Sequence, residues 1–103
     1  MAIMEISVVP VGTGKPSVSE YVVDAIKVLE ERGIKYQVGP MGTVAEAGIE
    51  DLLEAAKAMH NSIFFHDEVK RVVTTIRIDD RRDVENTIER KVKSLKEKVR
   101  YKK

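Results

Sequence analysis

The chain of 103 residues contains no cysteine, which removes disulfide frameworks, thiolate nucleophiles and cysteine metal sites together. It also lacks an excess of either charge. Eighteen Lys and Arg stand against seventeen Asp and Glu, a net +1, so global electrostatics favour neither nucleic acid nor an anionic membrane as a partner. No apolar run approaches bilayer-spanning length and the N-terminus carries no signal-peptide pattern, so a cytoplasmic protein is expected. What is present is 43% hydrophobic and 34% charged, the composition of a globular chain. At this length it forms one domain, residues 1–103, around a single core.

The organising stretch is Met4 to Glu20. Met4, Ile6 and Val8 alternate with Glu5, Ser7 and Val9, the period of a two-faced strand. Pro10 is expected to close that strand, and Gly12 and Gly14 to turn the chain. Ser17, with Glu20 three residues on, predicts a capping box for a helix whose stripe is Val18, Val22, Ala25, Ile26 and Leu29. Gly33 ends it. Ile34, Tyr36 and Val38 predict a second strand, Gly39-Pro40-Met41-Gly42 a hairpin connection, and Thr43–Ala47 a third strand. A second helix carries Ile49, Leu52, Leu53, Ala56, Met59 and Ile63. Val69–Asp79 predicts the fourth strand, and a third helix starts near Arg82, capped by Asp80 or Asp83, with a basic end fraying from Lys96.

This β-α-β-β-α-β order with a terminal helix predicts an α+β, ferredoxin-like fold: an antiparallel four-stranded sheet, first and third strands central, both crossover helices on one face. The other face, with Ile3, Glu5, Ser7, Val9, Gln37, Val73, Thr75 and Arg77, is expected to be bare. A long β-branched edge strand and that part-apolar face predict a homo-oligomer.

Motifs for chemistry are weak. Gly14-Lys15 has Val9 where a phosphate-binding loop needs its first glycine and Pro16 where it needs Ser or Thr. His60 and His66 lie off any single helix face, so no metal site is expected. Asp79-Asp80-Arg81-Arg82-Asp83 reads as a solvated turn. The fold hosts many functions, but the two central strands lack the aromatics that stack RNA bases, and metal chaperones need the missing cysteines.

Three phrases carry a resemblance: Glu5-Ile6-Ser7-Val8-Val9-Pro10-Val11-Gly12-Thr13-Gly14, then Pro40-Met41-Gly42-Thr43, then Arg71 to Arg82. Together they resemble the small, YkoF-like thiamine-binding proteins over nearly the whole chain. The resemblance implies a ferredoxin-like fold, a tetramer, binding of thiamine or its hydroxymethylpyrimidine part, no catalysis and no cofactor. An aminopyrimidine site needs an acceptor, a donor and a flat wall. Ser7, Met41, Thr43 and Glu46 are the candidate ligand-binding residues: Glu46 to accept from the amine, Ser7 and Thr43 as hydroxyls, Met41 as the wall. Strict alternation puts Thr43 and Glu46 on opposite faces unless a bulge re-aims one. Two alternatives stand beside this reading. One is a structural or regulatory oligomer binding another small ligand or an anion at the glycine turn. The other is an enzyme with Glu5, Glu46 or Asp79 as a base.

Overall fold

In the computed structural model, which describes residues 1–101, the order is β1 (Ala2–Pro10), α1 (Ser19–Glu31), β2 (Lys35–Val38), β3 (Thr43–Ala47), α2 (Ile49–Ser62), β4 (Val72–Asp80) and α3 (Ile88–Tyr101), with a 3₁₀ turn at Ile63–Phe65. All pairs are antiparallel and the sheet order is β2-β3-β1-β4. The ferredoxin-like arrangement with a terminal helix is therefore the fold of this chain.

Register decides which side chains share a face. β1 and β4 pair without interruption from Ala2↔Asp80 to Pro10↔Val72, whereas β1 and β3 pair only from Ala2↔Ala47 to Ile6↔Thr43. Met4, Ile6, Val8, Thr43 and Ala45 thus look toward α1 and α2, where all are buried. From the helices come Tyr21, Ala25, Leu29, Leu52, Ala55, Ala56, Met59 and Ile63, each buried in the same cluster. The expected stripe of α1 is rotated: Tyr21, Ala25 and Leu29 lead into the core, and Val22 and Ile26 are half-buried beside it. On α2, Ala55 takes the place expected for Leu53, which is 51% exposed; the four-residue ladder Leu52, Ala56 and the seven-residue step to Met59 set that phase.

Several boundaries differ from expectation. The capping box does not form: Val18 is the cap residue and makes no side-chain cap bond. Glu20 is drawn instead to Lys15, 2.8 Å away, because an ion pair competes for the carboxylate that would reach back to the cap. Pro10, by contrast, closes β1 as expected: it is the strand's last residue, opposite Val72. β4 begins at Val72, since Val69 is buried in a turn whose N–H donates to the His66 carbonyl at 3.0 Å. α3 begins at Ile88 rather than near Arg82, because Arg81 pairs with Asp83 and Arg82 with Asp80 in the preceding turns. The cap is Thr87, whose hydroxyl accepts from the Arg90 N–H at 3.1 Å, and not Asp80 or Asp83. The helix continues through Tyr101 instead of fraying from Lys96; Lys102 and Lys103 lie outside the described residues.

The face opposite α1 and α2 is only half bare. The first turn of α3 sits on it, burying Ile88, and Lys35–Glu89 and Lys91–Asp79 pair across the contact. Beyond that turn α3 projects: Leu95 and Val99 are each 62% exposed. The Cα radius of gyration, 15.4 Å, exceeds the roughly 13 Å of a compact domain of this size. Six basic but two acidic residues fall in the described arm, 88–101, which therefore carries +4, while residues 1–87 carry −5.

Candidate functional site

The unequal lengths of the two central strands create the site. β1 runs four residues past the end of β3, and the Gly39–Gly42 hairpin folds over the gap. The hairpin closes through Gly39 N–H to the Gly42 carbonyl at 2.9 Å. A Cβ at Gly39 would lie 2.8 Å from that carbonyl oxygen, so only glycine permits the closure. Below it, between α1 and the sheet, lies a cavity of about 340 Å³ reached by Ser7, Val22, Ile26, Met41, Thr43 and Met59. That volume is at the small end of ligand pockets.

Three of the four sequence-predicted site residues therefore meet. Thr43 is 4% exposed, and among the described residues its hydroxyl has no hydrogen-bond partner. Ser7 borders the cavity, although by register its side chain faces the opposite side of the sheet from Thr43. Met41 is 89% exposed at the mouth. Glu46 is elsewhere. It pairs with Ile3 and Lys35 on the α3 side of the sheet, no bulge re-aims it, and its Oε1 accepts the Ile88 N–H at 2.7 Å. Its carboxylate holds the start of α3, where the helix dipole favours negative charge.

α1, one wall of the cavity, is pinned on its far flank. His66 Nε2 lies 2.5 Å from Asp24 Oδ2, the ring packs edge-on to Tyr21, and the Tyr21 hydroxyl donates to Glu68 at 3.4 Å. The Asp24 hydrogen bond raises the His66 pKa above its ordinary value. His60 is bonded to Thr74 at 2.6 Å. Among the described residues, no three His, Asp or Glu side chains are placed to hold a metal. At the glycine turn Lys15 is already paired with Glu20, which raises the lysine's pKa and lowers the carboxylate's.

A profile of thiamine-binding proteins matches residues 4–96. The chain belongs to that family. The UPF0045 protein YqgV of Bacillus subtilis is 46% identical over 99 residues, covering 92% of this chain and 94% of the relative. The UPF0045 protein MJ1052 of Methanocaldococcus jannaschii is 42% identical over 95 residues, covering 92% of each chain. The crystal structure of the latter superposes with a TM-score of 0.86 over 93% of this chain and 96% of its own, at 41% identity. A Thermotoga maritima protein, crystallised as a candidate for thiamine biosynthesis or salvage, superposes at 0.74 over 91% of this chain and 97% of its own, at 29% identity.

Sequence reasoning missed two features of this thiamine-binding family member. Tyr21 was off the expected stripe of α1, and the main chain at the open edge of β1 carries no side-chain signal. The edge is legible only from strand length: a nine-residue run beside a five-residue one leaves four positions without a partner.

Proposed function

We propose that the protein binds thiamine, or its hydroxymethylpyrimidine part, without catalysis, in the cavity beneath the Gly39–Gly42 hairpin. The observation that carries this reading is the Thr43 hydroxyl, which opens into a small, largely apolar cavity and, among the described residues, has no protein partner. A hydroxyl open to the cavity can donate and accept toward a ligand there. Val22, Ile26 and Met59 supply apolar walls for a flat ring, and Met41 is placed to cover it. The family description and the Thermotoga neighbour agree with a thiamine-related ligand. Ser7, Met41 and Thr43 form the proposed ligand set, while Glu46 serves α3.

The reading is of a binder because the histidine–carboxylate pair, His66–Asp24, does not line the cavity. The protein acts as a cytoplasmic homo-oligomer, a tetramer in this proposal. Supporting features are the free edge of β4, with Ile76 43% exposed, and the exposed seam Val92, Leu95 and Val99 on α3. Calorimetric titration of thiamine, hydroxymethylpyrimidine and the thiamine phosphates tests the function, with Thr43→Val alongside. The pyrimidine-bearing ligands bind the parent protein, and the variant loses about tenfold or more in affinity. Absence of binding by every one of them to folded protein refutes the proposal.

A further inference from the structure

We infer that the pyrimidine is read by the main chain of Val8, whose N–H and C=O form an open ladder position facing the cavity. This rests on the functional reading above and adds the chemistry that the site recognises. In an antiparallel sheet the N–H and C=O of one residue point to the same side, and successive residues alternate. The Val11 N–H donates to the Arg71 carbonyl at 2.8 Å, which fixes the phase: odd-numbered residues of β1 bond toward β4, and Met4, Ile6 and Val8 toward β3. The register is unbroken on both sides.

β3 ends at Thr43, opposite Ile6. A continued ladder would set Met41 opposite Val8, but the closed hairpin swings Met41 outward, 89% exposed. Among the described residues, no hydrogen bond reaches the Val8 main chain on that side. Val8 is nevertheless 4% exposed and lines the cavity beside Thr43. Pro10, the next residue facing that way, has no N–H, which also explains how β1 accommodates a proline. The open edge therefore offers one donor and one acceptor, side by side, in a sheltered place. Buried main-chain groups in native proteins are almost always paired, so this pair is built for an occupant.

A 4-aminopyrimidine presents the complement: a ring nitrogen that accepts from the Val8 N–H and an adjacent amine that donates to the Val8 carbonyl. The mode is that of strand addition, with a heterocycle taking the place that Met41 vacates. The substrate class is thus planar amino-azines, and no carboxylate takes part in reading the amine.

Amide hydrogen exchange and ¹⁵N NMR on the intact protein, with hydroxymethylpyrimidine as probe, test this directly. The Val8 amide exchanges freely in the unliganded protein while Ile6 is protected, and saturating probe slows Val8 exchange tenfold or more. The desamino analogue, 5-hydroxymethyl-2-methylpyrimidine, binds at least tenfold more weakly, because a site built to bond a group rejects the analogue without it. Val8→Pro deletes the donor while sparing every bond to β4, and it lowers probe affinity by a similar factor. If that variant fails to fold, the exchange measurement decides alone. Probe binding with the Val8 amide already protected, or unmoved by the probe, overturns this inference and leaves the functional reading intact. Equal affinity for the desamino analogue does the same. Failure of every pyrimidine to bind overturns both.

Discussion

Removing the Glu46 carboxylate separates its structural role from a ligand role. In Glu46→Ala the Ile88 N–H, now bonded at 2.7 Å, loses a charged acceptor at the first turn of α3. Hydrogen bonds to charged groups contribute about 1.5–3 kcal/mol, and loss of a capping side chain costs about 0.5–2 kcal/mol. Water reaches this part-buried site and replaces some of the loss, so a destabilisation of about 1–2 kcal/mol is expected. For a chain of this size that lowers Tm by about 5–10 °C. The damage is local. Ile88 is 8% exposed and is the one residue of the α3 seam that is buried, so α3 loosens before the sheet does. Urea unfolding gives the total, and hydrogen exchange along 88–101 shows whether protection falls there first. Glu46→Gln, which keeps an acceptor oxygen, retains most of the parent stability. Pyrimidine affinity is unchanged in both variants. A stability change below about 0.5 kcal/mol with α3 protection intact would refute the reasoning.

Other perturbations act on the core, the hairpin and the flank of α1. Leu29 is fully buried between α1 and the sheet, so Leu29→Ala costs about 2–5 kcal/mol, measurable by denaturant unfolding at constant slope. Gly39→Ala forces the hairpin open against the Gly42 carbonyl 2.8 Å away; pyrimidine affinity falls while the global unfolding midpoint moves little. The His66 pKa is raised, first by its hydrogen bond to Asp24. That contact therefore contributes fully below the unfolded histidine pKa of about 6.5 and is lost as pH climbs through the higher folded value. Tm scans from pH 6 to pH 9 show a decline that His66→Gln flattens, and an identical profile in the variant would disprove the assignment.

Element type and order were legible because alternation in β1 and β4 and the 3.6-residue stripes of α1 and α2 are strong, local signals. What was illegible depended on competition or on length. Ser17 and Glu20 have the spacing of a capping box, but Lys15, across the turn, takes the glutamate. Asp80 and Asp83 looked like caps for α3 until two arginines claimed them. In the site, the opposition of Thr43 and Glu46 followed from alternation alone, and the fold keeps it. The sequence offered Glu46 as the acceptor for the amine because side chains are what a sequence displays. The acceptor at Val8 belongs to the backbone, and its availability depends on where a neighbouring strand stops.

The uneven split of charge makes this nearly neutral molecule a strong electric dipole. With +4 on the projecting arm, residues 88–101, and −5 on residues 1–87, and a longest dimension of 49 Å, the two ends are separated by several Debye lengths, each about 8 Å at physiological salt. A surface or partner at one end senses that end alone. The protein should therefore adsorb to both cation and anion exchangers near neutral pH, and orient as it does so, although its net charge of +1 points to weak retention on either. In dilute buffer the same polarity draws the arm of one molecule toward the body of the next, an attraction that added salt removes.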